Sequence, residues 1–148
     1  MAWARCTEGH IHWGPRGAAG LLVAERGRLL LQLRASWAHQ GGTWSVPGGA
    51  RERGESAVAA ALREAHEELG LDGGAVDVRG SWVALCGGWS YETVLAVPNQ
   101  KLTVSDRAES EAHAWVPVAH VDDLPLHPAF RAAWTAPHSG LRAFVASV

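Results

Sequence analysis

Glu64, Glu67 and Glu68 stand at i, i+3 and i+4 in a stretch that reads as helix. Three carboxylates therefore project from one side of it, opposite an apolar stripe. Like charges at that spacing destabilise an isolated helix by a few tenths of a kcal/mol per pair. A hard divalent cation would offset the repulsion. Magnesium takes oxygen ligands, binds through few carboxylates, and keeps waters and phosphate oxygens in its shell. A simply solvated acidic face is the competing reading of the same residues. Beside them, Arg63 is a permanent cation with a planar fork of donors. Gly48 and Gly49, upstream, let backbone approach a metal or phosphate where a side chain would obstruct.

The spacing around these residues is more specific than the residues themselves. Gly49 is followed after five residues by Glu55, then after seven more by Arg63-Glu64-Ala65-His66-Glu67-Glu68-Leu69-Gly70-Leu71. This resembles the signature of the Nudix hydrolase family, the MutT-like pyrophosphohydrolases. Every fixed position is matched, with Ala65 as a small apolar entry. The approach Trp44-Ser45-Val46-Pro47-Gly48-Gly49 and the later Trp115-Val116-Pro117-Val118 and Leu124-Pro125-Leu126 also look family-like, so the resemblance extends over roughly residues 17–135.

The resemblance implies a Nudix-type α/β/α sandwich with a mixed β-sheet. It implies Arg63, Glu64, Glu67 and Glu68 as the catalytic set, with Arg63 orienting the glutamates by pairing with Glu55. Glu67 and Glu68 would carry the metal together with the Gly48 carbonyl, and Glu64 would ligate it or orient the attacking water. Glu111, or Glu109 beside it, would add a carboxylate from outside the box. Gly49, Glu55 and Gly70 would be structural. The cofactor would be Mg²⁺, with Mn²⁺ able to replace it, since both accept octahedral oxygen sites. The reaction would be attack of water on a diphosphate phosphorus. Its own charge repels the nucleophile until metal ions screen it. A nucleoside triphosphate is the default substrate, and a nucleotide the expected partner. Ala84 to Gly88 lacks the proline of ADP-ribose-directed members, and Tyr91 stands near where dinucleoside-polyphosphate members place a tyrosine.

Two other classes compete with catalysis of this kind. A nucleotide-sensing module on the same fold would lack a glutamate of the box, yet all four are present. An isomerase of prenyl diphosphates would need a further catalytic pair that the sequence does not display. Outside the box, Arg34 and Arg51 are candidates for substrate phosphates, and Trp44 for stacking on a base, with Trp37 and Trp89 in similar loop positions. The histidines His10, His12, His39, His113, His120, His127 and His138 show no zinc spacing and read as solvated or capping.

The elements that must position these residues follow from periodicity. Gly17 to Ala24 and Leu29 to Arg34 read as strands around a Glu25–Arg28 turn. Ser36 to Thr43 reads as a loop, and Trp44 to Val46 as a short strand closed by a turn at Pro47-Gly48-Gly49. Val58, Ala61, Leu62, Ala65 and Leu69 form the apolar stripe of a helix from Ser56 to Leu69, capped by Gly70. Val76–Leu85, Tyr91–Val97 and Ala114–Val118 read as strands, the first two joined at Gly87-Gly88, and Pro128–Trp134 as a last helix. Interleaved strands and helices give an α/β (α+β) class.

Length and composition suit one domain, residues 1–148, with 1–16 expected to be irregular and partly mobile. Apolar residues make up 47% and charged residues 19%, a globular balance. A net charge of −2 excludes a basic polynucleotide binder and an extended nucleic-acid surface. No apolar run approaches the roughly 20 residues of a membrane helix, and the start lacks a signal-peptide pattern. A cytoplasmic location is expected, and a homodimer is compatible with it. Cys6 and Cys86 lack metal or disulfide spacing and read as unpaired.

Overall fold

The computed structural model describes Trp3–Arg5, Ile11–Trp13 and residues 16–148. Strands β1 (Trp3–Arg5) and β2 (Ile11–Trp13) pair antiparallel, with Trp3 opposite Trp13. The expectation of irregular backbone at 1–16 fails for these two stretches, whose aromatic and β-branched residues suit a pleated ladder. The other residues of that segment up to 15, Cys6 and His10 included, lie outside the described residues.

β3 (Ala18–Glu25) and β4 (Arg28–Arg34) form a hairpin whose turn uses positive φ at Arg26 and Gly27 (54° and 72°). Their registered pairing ends at Ala24 and Leu29, beyond which the strands part. The segment from Trp44 to Ala50 fills the space between them. β5 (Trp44–Ser45) pairs with β4, and β6 (Gly48–Ala50) with β3. The chain changes partner at Val46-Pro47, where the Pro47 carbonyl accepts the Leu21 N–H at 2.9 Å. The turn expected at Pro47-Gly48-Gly49 is therefore one step earlier, and both glycines lie in a strand.

β7 (Val76–Cys86) and β8 (Trp89–Pro98) make a second hairpin, and β8 runs parallel to β3 from Ala18↔Tyr91 to Val23↔Ala96. β9 (Ser110–Pro117) pairs antiparallel with β4. The result is a seven-stranded mixed sheet. Helix α1 (Ala57–Leu69) covers one face; α2 (Pro128–Thr135) and α3 (Leu141–Ser147) cover the other. Alternation along β3 serves both faces: Leu21 and Val23 pack under α1, Leu22 and Ala24 under α2 and α3. Buried on two sides, β3 reads as a continuous apolar run. The mixed α/β sandwich expected from the sequence is the architecture found.

Ser56 caps α1 by accepting the Ala59 N–H at 3.1 Å, and Gly70 closes it with φ 63°. Its buried face differs from the expected stripe. Ala57, Ala60, Ala61, Ala65 and Leu69 are buried, while Val58 is 37% exposed and Leu62 only half-buried. The carboxylates do not stand opposite this face either. Glu68, seven residues after Ala61 and three after Ala65, falls within the buried row and is 6% exposed. The loop before β9 closes over the end of the helix, Arg107 N–H donating to the Glu68 carbonyl and Ser105 N–H to that of Leu69, each at 2.9 Å. Helix α3 was not foreseen. It starts at Gly140 (φ 72°) with no side-chain cap, buries only Leu141 and Val145 fully, and is too short to show a period. Among the described residues no helix is long and apolar enough to cross a membrane.

Candidate active site

The parted β3–β4 hairpin, β6, α1 and the start of α2 surround a cavity of about 710 Å³. The box residues meet at one end of it, organised by Arg63. This side chain donates from Nε and Nη2 to the two Glu55 carboxylate oxygens at 2.7 and 2.9 Å, a bidentate pair. Nη2 also reaches the Ala50 carbonyl at 3.1 Å, and Nη1 reaches Glu64 at 3.1 Å and Glu67 at 3.3 Å. The Arg63 bond holds the Glu55 carboxyl below its usual range, and Glu55 in turn holds the guanidinium above its own. The pairing of Arg63 with Glu55 expected from the family resemblance is present. Glu67 sits at the rim, its side chain 51% exposed.

Glu68 lies deeper. Its Oε1 accepts from Gln32 Nε2 at 2.6 Å and its Oε2 from the Gly48 N–H at 3.2 Å. No cationic side chain among the described residues stands in ion-pair reach of it. Burial pushes its carboxyl up to about 9; the Gln32 bond opposes this, and the adjacent Glu64 carboxyl adds to it. Gln32 is itself 1% exposed, and its Oε1 has no partner among the described residues. Tyr91, from β8, brings its hydroxyl against Gly20 and Gly48. Burial raises that phenol above its ordinary range, with the Glu68 and Glu64 charges acting the same way.

The glycines are where side chains cannot go. A Cβ at Gly48 would lie 2.6 Å from the Ala19 carbonyl oxygen and 2.7 Å from Gly20 Cα, both backbone. A Cβ at Gly49 would lie 2.6 Å from the Glu64 carboxylate, the far end of a flexible side chain. Glu64, Glu67 and Glu68 line this end of the cavity, with the Gly48 backbone beside them. Among the described residues no group of three or more His, Cys, Asp or Glu is arranged as a metal cage. An all-oxygen site of one or two carboxylates, open to water and phosphate, fits a magnesium-like cation better than a zinc-like one.

Residues proposed outside the box divide. Arg34 lines the cavity, donating from Nε to the His39 carbonyl at 2.8 Å and from Nη2 to Glu109 at 3.3 Å. Glu111 does not line it. The β4–β9 register steps from Leu33↔Ala112 to Arg34↔Ser110, so Glu111 is the exposed extra residue of a bulge, and Glu109 is the carboxylate at the cavity. Arg51 also lies outside it, its Nε and Nη2 both given to the Glu55 carbonyl at 3.2 and 2.9 Å. Trp44 packs against the core under α2 and α3, its backbone bonded to Pro125 and His127, and does not line the cavity. Trp89 does line the cavity, 6.5 Å from the Tyr91 ring centre, whereas Trp37 is 73% exposed. Gln32 and His127 are site residues that sequence reasoning missed as such. Gln32 sits in an apolar strand with no motif to mark it, and His127 carried only the capping expectation.

The sequence profile of the NUDIX domain matches residues 14–136. The chain belongs to the Nudix hydrolase family. A Mycobacterium tuberculosis protein provisionally named 8-oxo-dGTP diphosphatase 3 is 43% identical to this Nudix chain over 143 residues, 89% of the chain and 66% of that protein. A Bifidobacterium longum nucleoside triphosphate pyrophosphatase/Nudix hydrolase fusion protein is 38% identical over 142 residues, 89% of the chain and 30% of the fusion. The Nudix chain thus spans just under two-thirds of the first relative and less than a third of the second. Among solved structures, the Mycobacterium smegmatis Nudix hydrolase RenU superposes with TM-score 0.85 at 41% identity, covering 99% of this chain and 96% of RenU.

Proposed function

We propose that this Nudix domain, acting as a single unit over residues 1–148, hydrolyses the diphosphate linkage of a nucleoside triphosphate with Mg²⁺, which Mn²⁺ can replace. The observation that carries the reading is Glu68, a carboxyl buried beside Glu64 with no cationic side chain among the described residues in ion-pair reach. A solvated acidic face would not bury an unpaired carboxyl, because that costs several kcal/mol without return. A cation brought with the substrate supplies the missing charge.

Bound Mg²⁺ would screen the phosphate charge and help ionise the attacking water. Glu64 and Glu68 would hold it with the Gly48 carbonyl, and Gln32 keeps the Glu68 carboxylate in place. Arg63 fixes Glu64 through Oε1, leaving Oε2 to take a proton from water. Glu67 at the rim would add a carboxylate to the cation, and Arg34 across the lining would meet the phosphates. A cavity of about 710 Å³ accommodates a nucleotide. The names of the mycobacterial and bifidobacterial relatives support nucleoside triphosphates, oxidised purines among them, as the class. The cytoplasm supplies both such a substrate and the cation, and it is where this reading expects the protein to act.

A panel of nucleoside triphosphates and diphosphate derivatives, with release of pyrophosphate or phosphate followed, tests the reading. Hydrolysis between two phosphorus atoms is expected with Mg²⁺ or Mn²⁺ and none in excess chelator; full activity in chelator would overturn it. Gly49→Ala is expected to keep its melting temperature, since only the Glu64 tip must move, yet to bind Mn²⁺ at least about tenfold more weakly by paramagnetic resonance. Gly48→Ala, which meets backbone, is expected to lose folding stability instead.

A further inference from the structure

His127 lines the same cavity at the N-terminus of α2, which it caps: its Nδ1 accepts the Ala129 N–H at 3.1 Å. An imidazole whose Nδ1 accepts carries its one ring proton on Nε2, so that atom can donate and cannot accept. Burial, reinforced by the charges of Arg34 and His39, lowers the ring to about 4, and it stays neutral in this tautomer near pH 7. Nε2 has no hydrogen-bond partner among the described residues. Trp89 lines the same space and offers flat apolar surface.

We infer that His127 is a specificity-determining residue whose Nε2–H selects nucleobases presenting an oxo group at that edge over bases presenting an amino group. Guanine, its 8-oxo form, hypoxanthine, uracil and thymine offer a carbonyl oxygen to the donor. Adenine and cytosine, presenting at that edge the exocyclic amino group, would set N–H against it, leaving two donors facing each other unpaired. A histidine free to change tautomer could adapt to either; the Ala129 bond removes that freedom. The inference rests on the nucleotide reading above.

Binding of non-hydrolysable α,β-methylene triphosphates of guanosine, uridine, adenosine and cytidine, measured by calorimetry with Mg²⁺, tests it without turnover. The oxo-bearing pair is expected to bind at least about tenfold tighter than the amino-bearing pair. Serine also caps helices, so His127→Ser is expected to keep the melting temperature and lose the preference. His127→Ala is expected to lose both the cap and the preference. With hydrolysable GTP, His127→Ser should raise KM and leave kcat, the signature of a contact made equally before and in the transition state. Equal binding of the four analogues by the wild type, or a preference that survives His127→Ser, would overturn the assignment. If the preference holds while no triphosphate is cleaved, the hydrolase reading falls and this one stands.

Discussion

Glu68→Gln is expected to cut turnover by two to three orders of magnitude while leaving the protein as stable as before, or more so. The substitution is nearly isosteric, and the amide can keep one acceptor for Gln32 Nε2 or the Gly48 N–H. What disappears is a charge placed where negative phosphate must be stabilised through a cation; losing a few kcal/mol there corresponds to roughly 10²–10³ in rate. Stability moves the other way because the folded chain buries a carboxyl that burial drives from 4.5 up to about 9. Between those values the native state holds a proton that the unfolded chain has released, so metal-free stability falls as pH rises through that window. Glutamine flattens that slope. Melting temperatures of both proteins from pH 4 to 9 in chelator, with turnover in Mg²⁺, read the two effects separately. A Glu68→Gln protein as active as the wild type would remove Glu68 from the site.

Leu22→Ala is expected to do the reverse, costing about 2–5 kcal/mol of stability while the folded fraction keeps its kcat. Leu22 is fully buried on the β3 face that meets α2 and α3, packed with Leu29, Leu31 and Trp134, away from the carboxylates under α1. Truncation there leaves a cavity in the centre of the sheet, which cannot collapse without bending β3. Leu62→Ala, on α1 itself, costs less because that side chain is only half-buried. Urea unfolding and active-site-normalised turnover decide it; a loss of kcat equal to the loss of stability would mean the two faces are coupled.

The box was legible because its chemistry is local: Glu55, Arg63, Glu64, Glu67 and Glu68 lie within 14 residues of chain, and helical spacing brings them together. Strands β3, β4, β7 and β8 were legible because each is a long apolar or alternating run. Less was visible where partners are distant. That Glu68 is buried depends on Gln32, 36 residues earlier, reaching it across the sheet. The choice of Glu109 over Glu111 depends on a bulge that shifts one ladder by a residue, and a single sequence carries no mark of it. The helix stripe was misplaced because Val58 outweighs an alanine in hydrophobicity, yet the alanines are what fit under the sheet. Arg51 and Trp44 were assigned from their position near the box, and position alone does not tell a ligand contact from a backbone bond or a packed ring.

The alanine face of α1 has a mechanical consequence. With Ala57, Ala60, Ala61 and Ala65 as its footing, the helix backbone rests close on β3 with almost no side chain in between that could change rotamer. The height of the whole acidic row above the sheet is therefore set by methyl groups, which have one shape. A bulkier residue at any of these four positions would not deform locally; it would lift the helix as a rigid bar and carry Glu64, Glu67 and Glu68 with it. The alanines act as shims under a common mount, and natural variation there would retune the three carboxylates together, never one at a time.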